Sequence, residues 1–232
     1  MKRINNLNML LSYIEKYNLN SIFEKDMVQY MELFSFSKGE LVCSKSSEMN
    51  YMYFLVKGKL KVYTLHDNGK SILLRFNKPL NILGDIEFLT DFKIQCNVES
   101  VNESIIIGIK TSDLLSHAYN DSKFLRFIIK NISQKLYAVS NSASINLLYP
   151  LESRLASYLL SISVDENNST NISEIKTSKF TDLATLLGTS YRHLFRIIND
   201  FISKGIIEKK GSIIVIKDIN KLKELSDGNM YE

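Results

Sequence analysis

Residues 179–205 read KFTDLATLLGTSYRHLFRIINDFISKG. Two amphipathic helices fit this stretch, one over about 179–187 and one from about Ser190 to Ser203, with Gly188 at the turn. Glycine permits the left-handed backbone of such a turn, and Ala184, four residues earlier, lets two helices cross closely. Thr189 or Ser190 is placed to cap the second helix. Leu183, Leu186, Leu187, Leu194, Ile197, Ile198 and Phe201 supply a core, which leaves Ser190, Tyr191, Arg192, His193 and Arg196 facing outward. In a helix-turn-helix those positions of the second helix meet base edges in the DNA major groove. Arginine bonds bidentately to guanine, and Ser or Tyr can hold phosphate. The same pattern also fits an amphipathic helical hairpin with a basic rim.

The flanking chain favours the first reading. IIEKKGSIIVIKD, residues 206–218, holds two apolar runs about Gly211, a small hairpin that would serve as a wing. Between Lys176 and Lys217 eight Lys/Arg stand against three acidic residues, a local +5 in a chain whose net charge is only +4. Lys204, Lys209 and Lys210 are the candidates for backbone phosphates, which set affinity and salt dependence rather than sequence choice.

Upstream, Asp121 to about Tyr149 contains no Gly or Pro. Leu125, Ile128, Ile132, Leu136, Val139, Ala143 and Leu147 recur there at spacings of 3, 4, 4, 3, 4 and 4. Such a heptad seam packs either on its own domain or on the same helix of a second subunit, and its regularity favours the second. Pro150 marks a hinge, because the residue before a proline is pushed out of helical geometry. A helix of about 151–163, the polar break VDENNSTN and a short strand within ISEIKTS lead back to the opening stretch.

From about Phe34 to Ile109 the pattern is strands and turns. YMYFLVKGKLKVYTLHDNGKSILLRFN alternates apolar and polar residues on either side of Gly58 and of Asp67-Asn68-Gly69-Lys70, the signature of hairpins. VNESIIIGIKTSDLLSH reads as a buried strand, a Thr/Ser cap and a helix. Glycines at 39, 58, 69, 84 and 108 punctuate the region as in a barrel or roll of short strands. The first twenty residues resemble an amphipathic helix more than a signal peptide, since Asn, Glu and Lys interrupt their apolar positions.

With 45% apolar and 23% charged residues the chain is long enough for two small cored domains. No apolar run approaches the ~20 residues of a membrane span, so no membrane partner and a cytoplasmic location are expected. Cys43 and Cys96 match no metal or redox spacing; they could form a redox pair with each other, but two buried free thiols are the simpler expectation. A metal-dependent barrel enzyme would need about two histidines and a glutamate converging. Residues 1–116 hold a single histidine, His66, beside a turn, so neither a metal site nor catalysis is expected. In ILGDIEFLTD, Gly84 and Asp85 could offer amides and a carboxylate to a ligand, or simply turn the chain with Asp85 capping a short helix. A further alternative is a small-molecule-sensing β-roll whose C-terminal domain binds protein.

The order of roll, seam helix, hinge and winged helix-turn-helix resembles the Crp/Fnr superfamily of bacterial transcription regulators. The resemblance runs from KGELVCSKSSEMNYMYFLVKGKLKVYTLHDNGKSILLRFNKPLNILGDIEFL to GSIIVIKD, with YFLVKGKLKVY, NGK and ILGDIEFL as the roll's landmarks. LGTSYRHLFRIINDFISKGII looks most like the YeiL-type branch. It implies an α+β chain: an N-terminal helix and double-stranded β-helix of cyclic-nucleotide-binding type over 1–120, a dimerisation helix over 121–149, and a winged helix-turn-helix over 150–232. It also implies a homodimer on double-stranded DNA, a contact with RNA polymerase and an open place for a small-molecule effector. Tyr191, Arg192 and His193 fall on base-facing positions, with Arg196 on the family's recurrent arginine; the family's commoner Arg-Glu is replaced by Tyr191-Arg192, so its usual half-site does not carry over.

Members that bind cyclic AMP carry Gly-Glu where this chain has Gly84-Asp85 and Arg-Ser where it has Gln95-Cys96. Glutamine supplies neither the charge nor the fork of that arginine. Val139, followed by Ser140, stands where the family's helix offers a threonine to adenine. Cyclic AMP is therefore not expected in its usual pose, two cysteines are too few for an iron–sulfur cluster, no haem ligand is supported, and no cofactor is assigned.

Overall fold

The computed structural model of the protein describes residues 1–66, 69–90, 92–163, 174–176, 180–211 and 213–231. In chain order the N-terminal elements are β1 (Lys2–Ile4), α1 (Leu7–Lys16), β2 (Met31–Phe36), β3 (Leu41–Cys43), β4 (Tyr51–Lys57), β5 (Leu60–Leu65), β6 (Ser71–Asn77), β7 (Ile82–Leu83), α2 (Asp85–Leu89), β8 (Asn97–Ser100), β9 (Ser104–Lys110) and α3 (Thr111–His117). The long helix α4 (Ser122–Leu148) follows, then α5 (Leu151–Ser163), β10 (Glu174–Lys176), α6 (Phe180–Leu186), α7 (Tyr191–Ser203), β11 (Ile207–Lys210), β12 (Ile213–Ile216) and α8 (Ile219–Leu225). They cluster into two compact units, Met1–Val62 with Asn77–Tyr137, and Tyr63–Phe76 with Ala138–Glu232. Among the described residues no helix is long and apolar enough to cross a membrane.

In the first unit one sheet has the order β1-β2-β9-β4-β7, and β9 pairs antiparallel with both β2 and β4. Both faces of this sheet are covered, which explains why SIIIGIK is almost uniformly apolar instead of alternating. One face sends Leu33, Met52, Phe54 and Ile107 against α1, α3 and Phe124 and Ile128 of α4. The other carries an aromatic cluster in which Tyr51 and Tyr53 stack at 5.8 Å and Phe34 meets both edge-on. Gly108 lies under these rings, where a Cβ would come within 2.8 Å of the Phe34 ring. A further sheet has the order β3-β8-β5-β6.

Some sequence expectations change here. β4 and β5 flank Gly58 yet belong to different sheets, so this turn is a corner between sheets and not a hairpin. Its φ of +92° and a space that puts a Cβ 2.5 Å from Ser104 Oγ demand glycine. β5 and β6 are neighbours, with His66 N–H donating to Lys70 O at 2.9 Å; Asp67 and Asn68 lie outside the described residues. Lys110 occupies the cap position of α3 without a side-chain bond, because the Thr111 hydroxyl donates to Met49 O at 2.8 Å. Strand β1 is only three residues long and carries no strand pattern of its own in the sequence.

Helix α4 starts at Asp121, whose Oδ1 accepts from the Lys123 and Phe124 amides, both at 3.0 Å, and stops ahead of Pro150. Its buried face runs through Phe124, Ile128, Asn131, Lys135, Ala138, Ser142 and Ile145, a heptad about one residue out of step with the expected seam. Ile128 is therefore inside the core of its own unit, whereas Leu136 and Leu147 are 70% and 82% exposed. Three of the seven positions of this buried heptad are polar, which hides it from an apolar periodicity.

In the second unit α6 ends in a Schellman turn: Thr189 N–H donates to Ala184 O at 2.9 Å and Gly188 N–H to Thr185 O at 3.0 Å. Gly188 takes φ +63° there, and Arg154 of α5 donates to Leu187 O at 2.7 Å. All seven residues expected to form the helix-turn-helix core are buried. The wing is a three-stranded sheet of order β10-β12-β11, so the strand expected within ISEIKTS completes it. VDENNSTN lies outside the described residues.

Candidate nucleic-acid interface

Helix α7 buries Leu194, Ile197, Ile198 and Phe201 at helical spacing, so one side is committed to the core and the other to solvent. Ser190 is the cap: its Oγ accepts from His193 N–H at 3.2 Å, which fixes the first turn. Tyr191, Arg192, His193 and Arg196 are all exposed, as expected. Among the described residues neither arginine is held in an ion pair, so their guanidinium forks face solvent with their donors available. His193 Nδ1 lies 3.4 Å from Thr189 Oγ1. Tyr191 is 47% exposed, with its ring stacked on Phe195 at 5.5 Å. The exposed row continues from Arg192 and Arg196 to Asn199, which the sequence reading passed over although it lies one turn further along the same face.

The flanking lysines are less uniform than their sequence suggests. Lys204 is exposed and pairs with Asp200 at 2.6 Å, a contact worth only ~0.3–0.5 kcal/mol at such a site and easily exchanged for phosphate. Lys210 is exposed and stands 3.6 Å from Glu208, which also binds Lys217 at 2.7 Å. The hydrogen bond from Lys217 holds the Glu208 carboxyl below its ordinary range. Lys209 is half-buried, its ammonium 5.3 Å from the Phe180 ring centre and 5.5 Å from that of Phe195.

The residues considered for an effector differ in burial and in their partners. Gly84 is buried with φ +92°, a left-handed backbone that favours glycine, and it packs against the Met49 side chain. It occupies the cap position of α2, and Asp85 is that helix's first residue; no side chain caps it. The Asp85 carboxylate is instead turned to Lys135, whose Nζ donates to Oδ1 at 2.5 Å. Both residues are buried, at 1% and 7% exposure. Gln95 is exposed and its amide donates to Lys93 O at 2.8 Å. Val139 is half-buried and Ser140 exposed, and both belong to the second unit. The sequence reading missed Lys135 as the partner of Asp85, because between Gln134 and Leu136 nothing local marks this lysine as buried. Cys43 and Cys96 form no disulfide; Cys43 is buried, and Cys96 only half-buried where burial was expected. Burial, helped by Glu87 and opposed by Lys135, pushes the Cys43 thiol up to about 12, the reverse of a reactive thiolate.

Comparison with known proteins agrees with this geometry. Residues 33–118 match the cyclic nucleotide-binding domain family and residues 153–225 the Crp-like helix-turn-helix domain family. The regulatory protein YeiL of Escherichia coli O157:H7 is 26% identical over 204 residues, spanning 88% of this chain and 90% of that protein. The anaerobic regulatory protein of Haemophilus influenzae is 23% identical over 198 residues, 83% of this chain and 75% of that protein. The crystal structure of TTHB099, a CRP-family transcriptional regulator of Thermus thermophilus, shares the fold with a TM-score of 0.69 at 19% identity, over 86% of this chain and 98% of that one.

Proposed function

This chain belongs to the Crp/Fnr superfamily of transcription regulators, with a cyclic-nucleotide-binding-like domain and a DNA-binding helix-turn-helix, and we propose that it works as a sequence-specific homodimer on a near-palindromic site. The observation that carries the reading is the exposed start of α7, capped by Ser190 and carrying Arg192 and Arg196 out of any ion pair among the described residues. Arg192 and Arg196 contact bases or the adjacent phosphates, with Ser190, Tyr191 and His193 assisting. Lys204 and Lys210 hold the backbone.

Homodimer formation is assigned to α4. Exposed Ile129, Leu136 and Leu147 support it, since large apolar groups standing 61%, 70% and 82% exposed along one helix favour a second helix over water. In this reading 1–120 is the effector-type region, 121–149 the dimerisation helix and 150–232 the DNA-binding region. The chain is a cytoplasmic non-enzyme that touches RNA polymerase, in keeping with its superfamily. The Asp85 carboxylate is engaged by Lys135, which supports an effector region that does not take cyclic AMP in the usual pose.

The test is selection of bound fragments from random double-stranded DNA, followed by Arg192→Ala and Arg196→Ala. Wild-type protein should enrich a two-fold symmetric sequence, and each substitution should cost about 1–3 kcal/mol and relax preference at one position per half-site. Enrichment of no sequence, or variants that bind like wild type, would refute the proposal and favour a C-terminal domain that binds protein.

A further inference from the structure

The wing lysine that sequence assigns to phosphate lies against rings instead. Lys209 Nζ is 5.3 Å from the Phe180 ring centre and 5.5 Å from the Phe195 ring centre, within the reach of a cation–π contact. Phe195 in turn stacks on Tyr191 at 5.5 Å with an interplanar angle of 23°. Tyr191 and Phe195 are four residues apart on α7, so their rings lie one above the other on the same side of the helix. Phe180 opens α6 and Lys209 sits in β11, so a single ammonium touches the first helix, the recognition helix and the wing. Phe195 and Lys209 are half-buried, whereas Lys210, the next residue, is exposed. An ammonium held between two ring faces is poorly placed to neutralise a phosphate as well.

We propose that Lys209 is a positioning residue for base recognition: it clamps Phe195, and through the Phe195–Tyr191 stack it orients the Tyr191 side chain toward the DNA. The inference rests on the DNA-binding reading above and deepens it, making Tyr191 and Phe195 a specificity unit governed from the wing. An aromatic stack of this kind is lost when one ring is removed, and its cation–π partner is lost when the ammonium goes. A phosphate contact behaves differently, because each one contributes to the salt dependence of binding and not to base preference.

The experiment compares wild type, Tyr191→Ala, Phe195→Leu and Lys209→Met by selection from random double-stranded DNA, with affinity for the wild-type site measured over a range of salt. Tyr191→Ala identifies the base pair that depends on the ring. Lys209→Met and Phe195→Leu should each lose preference at that same base pair, while the salt slope of Lys209→Met stays that of wild type. A Lys209→Met slope shallower by about one, with base preference intact, would make Lys209 a phosphate contact and overturn the inference. So would a Phe195→Leu variant that keeps the wild-type preference, or a Tyr191→Ala variant that changes none. Wild-type protein that selects no sequence would remove the DNA-binding reading itself, an outcome distinct from these.

Discussion

Asp85 and Lys135 show how one contact can redefine a region. Two opposite charges, both buried, are stable only as a pair, since each alone would stand desolvated in the interior. Lys135→Met should therefore lower unfolding stability by about 3–5 kcal/mol, read from denaturant melts. Asp85→Asn combined with Lys135→Met should recover much of that loss, because the stranded carboxylate is gone; a double variant as unstable as the single would show that the pair is not what holds this site. The aspartate was conspicuous in sequence beside Gly84. Its partner was not, because Lys135 is fifty residues away in sequence and no local pattern joins them.

Helices and strands raise a different question, that of what holds them to one another within a unit. The Tyr231 ring is fully buried in the second unit. Its hydroxyl donates to Asn146 Oδ1 at 2.8 Å, its amide donates to Ser161 Oγ at 2.9 Å, and its carbonyl accepts from Phe76 N–H at 2.7 Å. One residue thus joins α4, α5 and β6. Tyr231→Ala should cost about 3–5 kcal/mol of stability, as other large ring deletions do. Burial raises the phenol's pKa above its ordinary value near 10. The neutral phenol's contribution is accordingly complete below pH ~10 and is lost as pH climbs from there toward the raised folded value. Tyr231→Phe should be less stable than wild type by about 1 kcal/mol at pH 8, with the gap narrowing above pH ~10. A gap that does not change with pH would contradict the burial of this group. The sequence reading covered α6, α7 and the wing well, because their periodicity and glycine stops are local. It left out α8, a helix of only seven residues, and the Tyr231 anchor, whose partners Ser161 and Asn146 lie 70 and 85 residues away.

For the molecule as a whole, the proposed homodimer rests on α4. Its exposed apolar residues and its buried heptad occupy different sides, so the helix can serve its own chain and a second copy at once. Leu136→Glu places a charge among Ile129, Tyr137 and Leu147 and should shift micromolar protein from dimer to monomer by light scattering. Binding to a symmetric site should weaken in parallel, since two recognition helices ~34 Å apart are needed to grip successive major grooves. A variant that remains dimeric would move the subunit contact away from this face.

Sequence by itself determined the elements that depend on neighbours along the chain: the two helices about Gly188, a hydroxyl cap at Thr189 or Ser190, the outward arginines, the roll of short strands and the stop at Pro150. These follow from periodicity, left-handed glycine and the geometry of proline, all of which act within a few residues. Tertiary structure alone decided which face of α4 is buried, that Gly58 turns a corner between sheets, that Asp85 is matched by Lys135, and that Lys209 lies over the Phe180 and Phe195 rings. Each of these depends on residues brought together from distant points of the chain, where burial and charge pairing override what any local pattern prefers.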